Sequence, residues 1–169
     1  LLPSKERISM LAELEKLEQE LGYPQTNGTF ELRSLIASLY PGTTAEHVEV
    51  MNGGSEANCV VLLRLLQPGD HCVFMTPNYL QANGLARALG AEVTGWPLRL
   101  VGGDSAPQWR ADVDELRRLV TPKTRAILLC NPNNPTGMRL DEATLDKVCG
   151  IASAVGAWVI GDELSLIHI

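Results

Sequence analysis

The sequence predicts an α/β fold, a three-layer sandwich in which a mostly parallel sheet is flanked by helices. Short apolar runs typical of buried strands alternate with segments of helical period over residues 48–160. Glycine or proline closes several of the helical segments, as at Pro68-Gly69 and Gly90. Strands separated by helices of this length form βαβ units, whose strands run parallel.

The elements follow one another in a regular order. The first predicted helix covers Lys5 to Leu21, where leucines recur at helical spacing between Glu and Lys, and a second covers Glu31 to Leu39. Five strands are predicted after them: Val48–Met51, His71–Met75, Glu92–Trp96, Ala126–Cys130 and Ala157–Ile160. Four helices lie between these strands: Glu56–Leu66, Gln81–Leu89, Val113–Val120 and Asp141–Ala154. The glycine-rich stretch Leu100–Gln108 is predicted to be a loop.

Composition excludes several classes of function. The chain has 169 residues and a formal net charge of −6 without a basic patch, so nucleic acid is not an expected partner. Apolar runs such as Val60–Leu63 are too short to cross a bilayer, and no signal peptide is visible. The chain has four scattered cysteines: Cys59, Cys72, Cys130 and Cys149. Their spacing is typical of free thiols in a reducing compartment, so we expect a cytoplasmic protein without disulfides. The same spacing does not suit a zinc site. Because the chain does not begin with Met, we expect its true beginning to be missing.

Four predicted strands end in polar or glycine-rich segments. In parallel sheets, ligands bind beyond the carboxyl ends of the strands, so these segments are expected to converge on one edge. They are Asn52-Gly53-Gly54-Ser55-Glu56, Thr76-Pro77-Asn78-Tyr79, the turn after Cys130, and Gly161-Asp162-Glu163.

The turn Asn131-Pro132-Asn133-Asn134-Pro135-Thr136-Gly137 is the most informative of the four. Two prolines three residues apart exclude a helix interior and a central strand, and they stiffen the backbone. Such a turn can present the Asn134 carboxamide to a ligand as donor and acceptor. A proline-rich turn without a ligand is the alternative, and the local composition does not decide between them.

The other strand ends each allow two interpretations. The Gly53-Gly54-Ser55 loop, between a strand and a helix, can cradle a phosphate, or Ser55 can simply cap the helix. Tyr79 can form one face of a pocket for a flat ring, or it can be an ordinary half-buried tyrosine. Asp162 can pair with a protonated ring nitrogen, or it can cap the next element.

In combination, these segments resemble the class I/II aminotransferases, which are fold-type-I enzymes that use pyridoxal 5′-phosphate (PLP). The resemblance covers Tyr23 to Glu163, and its most specific part is the Asn–Pro turn. Gly28 with Glu31-Leu32-Arg33 is similar to the family's G-x-x-E-L-R segment.

The resemblance implies a role for each site residue. Gly54, Ser55 and Glu56 would hold the cofactor phosphate, and Tyr79 would stack on the pyridine ring. Asn134 would bind the phenolic oxygen, and Asp162 would pair with the ring nitrogen. Among these residues, Asp162, Asn134 and Tyr79 would act in catalysis.

The resemblance also implies a homodimer. Tyr23 is similar to a family tyrosine that reaches the phosphate bound by the neighbouring subunit. The family often has cis peptide bonds at the positions of Thr76-Pro77 and Asn134-Pro135, and we predict that at least the second is cis.

The resemblance further predicts the domain organisation. Residues 1–42 would form an N-terminal helical segment and residues 43–163 a partial PLP-binding large domain, with the C-terminal small domain absent. Residues 164–169 read like a translated sequencing adapter, so we expect them to be foreign. The lysine that carries PLP and the arginine that binds the substrate carboxylate would come after the Asp-Glu strand. The chain has four lysines: Lys5, Lys16, Lys123 and Lys147. None of them has the S-x-x-K context of the family, so we expect this chain alone to be inactive.

The function implied for the parent protein is transfer of an amino group between an amino acid and a 2-oxo acid. Three alternatives stay open at this stage. One is another fold-type-I PLP reaction, such as that of a carbon–sulfur lyase, a decarboxylase or a cyclising synthase. Another is a PLP-binding regulatory module without turnover, and the third is a nucleotide-binding α/β domain, although the glycine loop is not a recognised nucleotide motif.

Overall fold

The computed structural model describes residues 23, 25–102 and 107–168. These residues belong to two compact units, one ending at Met51 and the other beginning at Asn52. The predicted helix Lys5–Leu21 lies outside the described residues. In the part of the chain that is described, no helix has the length and apolar character that a membrane span requires.

The first unit is built around one short helix. Helix α1, Phe30–Ala37, begins where Thr29 Oγ1 accepts a hydrogen bond from Leu32 N at 3.3 Å. On this helix Arg33 is buried, with Nη1 donating to Ala45 O at 2.6 Å and Nε to Gly28 O at 3.1 Å. A buried guanidinium thereby ties the helix to the short 3₁₀ turn Ala45–His47.

The predicted strand Val48–Met51 is wrong. Val48 has extended dihedrals, and Val50 N donates to Asn27 O at 3.1 Å, but the segment belongs to no strand of the sheet. The side chains favour an extended backbone, yet a strand also needs a partner ladder, which local sequence does not provide.

The second unit is a five-stranded sheet with helices between its strands. The strands are β1 (His71–Thr76), β2 (Glu92–Val101), β3 (Gln108–Ala111), β4 (Thr124–Cys130) and β5 (Trp158–Asp162). The helices are α2 (Gly54–Leu65), α3 (Gln81–Ala88), α4 (Val113–Leu119) and α5 (Glu142–Val155). The order is β3-β2-β1-β4-β5, and every pair is parallel except β2 with β3. The predicted α/β fold class is confirmed.

Alternate residues of each central strand pack on opposite faces of the sheet. Val73 and Met75 join one apolar cluster with Leu116 of α4 and Val148 of α5. Cys72 and Phe74 join the other cluster, which includes residues of α2 and α3. Because successive side chains of a strand point to opposite faces, two adjacent residues serve two separate cores, and three layers result.

The predicted loop Leu100–Gln108 is wrong at both of its ends. Strand β2 continues to Val101, and Gln108 begins β3, which pairs antiparallel with β2 from Leu98↔Ala111 to Val101↔Gln108. A non-local ladder overrides the local turn composition here. The remaining predicted elements that fall within the described residues are present with bounds shifted by a few residues. Helix α2 begins at Gly54 rather than Glu56, so the glycine loop runs directly into its first turn.

Candidate active site

A cavity of about 280 Å³ lies at the carboxyl edge of the sheet. Four segments line it: the start of α2 and the turns that follow β1, β4 and β5. The lining residues are Asn52, Gly53, Gly54, Ser55, Asn58, Tyr79, Cys130, Asn134, Asp162, Leu164 and Ser165. The expectation that the four polar strand-end segments converge is therefore confirmed. Leu164 and Ser165 belong to the stretch that the sequence predicts to be foreign.

The amino end of α2 presents backbone N–H groups. Gly53 is the N-cap, with a φ of 90° that favours glycine, and Ala57 N donates the first helical hydrogen bond to Gly53 O at 3.3 Å. The N–H groups of Gly54, Ser55 and Glu56 precede that bond, and they lie at the positive end of the helix dipole. This arrangement suits an anion such as phosphate.

Two side chains hold this loop in place. The Glu56 carboxylate accepts a hydrogen bond from Asn52 N, and Gln81 Nε2 of α3 donates to Ser55 O at 2.9 Å. The Glu56 side chain therefore closes the loop and is not among the residues that line the cavity.

Neither backbone conformation nor packing requires the residue at position 54 to be glycine. Its φ is not in the left-handed region, and a Cβ built on it would meet only Leu164 Cδ1, at 3.8 Å. Glycine at the start of a helix costs stability relative to alanine. A glycine here does, however, leave the N–H groups open to close approach by a ligand. The donor set and this open space together fit the phosphate of PLP.

The turn after β4 holds Asn134 through its backbone. Cys130 Sγ donates to Pro132 O at 3.2 Å and accepts from Asn134 N at 3.4 Å. Burial raises the pKa of the Cys130 thiol, which therefore keeps the proton that it donates. The Asn134 carboxamide lines the cavity and has no hydrogen-bond partner among the described residues.

Within the described ranges, three peptide bonds before proline are cis. Asn134-Pro135 is one of them, as predicted, and Thr76-Pro77 is another. The third, Asn131-Pro132, was not expected from the sequence.

Asp162 and Tyr79 also line the cavity. Asp162 is the last residue of β5, opposite Cys130 in the parallel register, and its Oδ1 accepts from Leu164 N at 3.0 Å. The carboxylate thus caps the following turn and also lines the cavity. Tyr79 is 55% exposed and is among the residues that line the cavity, and its backbone N–H donates to Asn78 Oδ1 at 2.6 Å.

The cavity also includes residues that the sequence did not single out. Asn58 and Cys130 both line it. Asn58 lies three residues after Ser55 on α2, a spacing that puts both on one helix face, and this spacing was the signal available in the sequence. Tyr23 is fully exposed in the first unit, and its predicted role toward a neighbouring subunit stays a prediction.

Comparison with known proteins identifies the family. Residues 3–164 match the family model described as aminotransferase class I and II. The chain belongs to this family. It is 33% identical over 147 residues to the arginine–pyruvate transaminase AruH of Pseudomonas aeruginosa, covering 84% of this chain and 36% of that protein. It is 34% identical over 150 residues to the probable N-succinyldiaminopimelate aminotransferase DapC of Mycobacterium tuberculosis, again covering 84% of this chain and 36% of the relative.

Solved structures of this family have the same fold. A PLP-dependent aminotransferase from Streptococcus suis superposes with a TM-score of 0.81 at 34% identity, covering 93% of this chain and 40% of that one. The N-succinyldiaminopimelate aminotransferase of M. tuberculosis gives a TM-score of 0.76 at 32% identity, covering 93% and 41%. The chain thus spans well under half the length of its relatives and corresponds to part of the PLP-transferase large domain.

Proposed function

We propose that the protein to which this chain belongs is a PLP-dependent aminotransferase that moves an amino group between an amino acid and a 2-oxo acid. The observation that carries the proposal is that five residues line one and the same cavity: Gly54, Ser55, Tyr79, Asn134 and Asp162. These residues come from four separate segments of the chain. Each offers a group suited to one part of PLP, and family membership supports that cofactor.

The start of α2 would bind the phosphate. The N–H groups of Gly54, Ser55 and Glu56 precede the first helical hydrogen bond, and the Ser55 hydroxyl lies beside them at the cavity. The helix dipole adds favourable electrostatics for an anion. In this role, the start of α2 would anchor the cofactor by its phosphate.

The remaining residues would act on the ring. The Asn134 carboxamide would donate to the phenolic oxygen, the Asp162 carboxylate would keep the ring nitrogen protonated, and Tyr79 would fix the plane of the ring by stacking. Bound PLP supplies an electron sink for the bond that breaks at the amino-acid Cα. The Asp162 charge strengthens that sink because an anion beside the ring nitrogen favours its protonated form.

The chemistry also requires a lysine. The described lysines, Lys123 and Lys147, lie before β4 and on α5, and neither lines the cavity. The proposal places the lysine and the substrate-binding arginine after Glu163 in the parent protein. It also includes a cytoplasmic homodimer in which Tyr23 reaches the phosphate of the other subunit.

The decisive experiment begins with the intact gene. The source locus is resequenced, and the open reading frame that contains residues 1–163 is expressed and purified. We expect it to continue past Glu163 without the Leu164–Ile169 hexapeptide, and the protein to show the absorbance of enzyme-bound PLP. Amino transfer is then measured with a panel of amino acids and 2-oxo acids. The panel includes arginine and N-succinyldiaminopimelate, which occur in the names of two relatives.

Two results would contradict the proposal in different ways. Soluble complete protein that does not bind PLP would refute the cofactor assignment. Protein that binds PLP but releases carbon dioxide or sulfide from amino acids, without amino transfer, would refute the reaction and favour a decarboxylase or a lyase.

A further inference from the structure

Asn133, the residue before Asn134, has a side chain that the proposed chemistry does not use. It is 2% exposed. Its Nδ2 donates to Pro77 O at 3.0 Å and lies 3.7 Å from Met75 Sδ. Its Oδ1 accepts from Thr136 Oγ1 at 2.6 Å and from Thr136 N at 3.2 Å. One buried carboxamide therefore binds the turn after β1 with its donor and its own turn with its acceptor.

This link lies beyond the end of the sheet ladder. The parallel pairing of β1 with β4 ends at Phe74↔Leu128, so the two turns that follow are not held by strand hydrogen bonds. Among the described residues, the hydrogen bond from Asn133 Nδ2 to Pro77 O is the side-chain link between these two turns, and the same Nδ2 also contacts Met75 Sδ in β1. Pro77 is two residues from Tyr79, and Asn133 is adjacent to Asn134. The hydrogen bond therefore joins the turn that contains Tyr79 to the turn that contains Asn134, and both of these residues line the cavity.

The chemistry of the contact requires an amide. A carbonyl oxygen on one side needs a donor, and a hydroxyl and an N–H on the other side need an acceptor. A carboxylate of the same shape accepts on both sides and donates on neither. A hydrocarbon side chain does neither, and it leaves buried polar groups without partners.

We propose that Asn133 is a positioning residue that holds the Tyr79 turn and the Asn134 turn at one separation, so that the ring and the carboxamide bind one flat ligand together. This inference rests on the proposed function for the identity of that ligand. The mechanical link itself is independent of it. Asn133 lines a second cavity of about 440 Å³ at the same turn, which shares Asn134 and Ser165 with the 280 Å³ cavity but not Tyr79 or Asp162. Its effect on the 280 Å³ cavity therefore acts through the positions of Tyr79 and Asn134.

The test uses the complete protein and compares Asn133→Asp with Asn131→Ala. Asn133→Asp removes the donor to Pro77 O and keeps an acceptor for Thr136. Asn131→Ala is the matched control, because Asn131 Oδ1 accepts from Leu140 N at 2.9 Å and, among the described residues, this side chain makes no hydrogen bond to the turn after β1. Hydrogen–deuterium exchange of the PLP-free protein is measured over residues 76–80 and 131–137. The PLP dissociation constant is then measured by absorbance titration.

We expect Asn133→Asp to speed exchange in both segments and to weaken PLP binding by about tenfold, the effect of losing one positioned hydrogen bond. Asn131→Ala should speed exchange only in its own turn and change PLP affinity by less than about twofold. If Asn133→Asp does not fold, Asn133→Ser removes the link without burying a charge and carries the same comparison.

Faster exchange over residues 131–137 alone, with residues 76–80 unchanged, would overturn the inference, because Asn133 would then brace only its own turn. Exchange is measured without cofactor, so it decides the inference even if the parent protein does not bind PLP. Failure of the parent to bind PLP would instead refute the proposed function.

Discussion

The two edges of the same sheet use polar side chains in opposite ways. At the amino edge, His71 is 5% exposed, and both of its ring nitrogens have partners. Nδ1 is 2.7 Å from Thr124 Oγ1, and Nε2 is 2.8 Å from Thr94 Oγ1. At the carboxyl edge, the Ser55 hydroxyl and the Asn134 carboxamide line a cavity, and neither has a hydrogen-bond partner within the described ranges.

This contrast separates structural polar groups from ligand-binding ones. Polar groups buried during folding are normally satisfied by other protein groups, and the three amino-edge side chains satisfy one another across β1, β2 and β4. Convergent polar groups left without partners at a cavity are typical of a binding site. Substitutions at the amino edge should therefore change stability, and substitutions at the carboxyl edge should change cofactor binding and activity.

The largest effect is expected for Asp162→Asn in the complete protein. This change keeps a side-chain oxygen that can accept from the backbone N–H two residues further on, as Oδ1 does in this chain, and removes the charge proposed to act on the ring nitrogen. We expect kcat/KM for amino transfer to fall by about a hundredfold or more, as for loss of a preorganised electrostatic contact. The control is Glu92→Gln, an exposed carboxylate at the amino edge, which should leave kcat/KM unchanged. Equal activities of the two variants would contradict the contrast between the edges.

Thr124→Val tests the amino edge. Valine keeps the shape of the side chain, but it removes the hydrogen bonds of Thr124 Oγ1 to His71 Nδ1 and Thr121 N. The free energy of unfolding should fall by about 2 kcal/mol, from buried groups left unpaired. Urea unfolding of the PLP-free protein measures this change. Thr94→Val, which removes the contact to His71 Nε2, should have a smaller effect, and neither variant should alter PLP affinity.

Gly54→Ala tests whether this glycine serves the ligand. A Cβ there would meet little protein, so the free energy of unfolding should stay the same or rise slightly. PLP affinity should fall by about tenfold, because the added methyl group keeps the phosphate from approaching the backbone. The matched control is Gly150→Ala in α5, where a Cβ meets nothing within 4 Å. That variant should gain up to about 1 kcal/mol of stability, with PLP affinity unchanged. Unchanged PLP affinity in Gly54→Ala would remove the phosphate role.

The smallest effect is a pH dependence of stability. Burial lowers the pKa of His71 from its ordinary value of 6.5, and the nearby Glu92 carboxylate partly opposes this shift. The unfolded chain therefore binds the proton more readily. The His71 contribution to stability should be complete above pH 6.5 and lost as the pH falls through the lower pKa of the folded state. Urea unfolding between about pH 7 and 5 should show a shallower pH dependence of the free energy of unfolding in His71→Gln than in the parent.

Much of the fold could be predicted because it depends on local patterns. The apolar runs of β1, β4 and β5 and the helical periods between them are visible within windows of about ten residues. The two errors, Val48–Met51 and the Leu100–Gln108 loop, both concern strand pairing. Pairing depends on a distant partner, and no local window contains that information.

The site was predictable for a related reason. Asp162 is the last residue of a strand, whereas Ser55, Tyr79 and Asn134 follow a strand or an extended segment, and a parallel sheet brings such ends to one edge. Asn133 and Asn134 show where this reasoning stops. They are the same residue type in the same turn, and nothing in the sequence indicates that the Asn133 side chain is buried and bound to Pro77 O while Asn134 lies at the cavity.

The sequence by itself therefore determined the order of elements, the stiff Asn–Pro turn and the set of polar strand ends, since these depend on neighbouring residues. Only the tertiary structure decided that β2 pairs with β3, that Asn58 and Cys130 line the cavity, and that His71 is satisfied while Asn134 is left open. The physical reason is that burial and hydrogen-bond satisfaction depend on residues far apart in the chain, which only folding brings within contact distance.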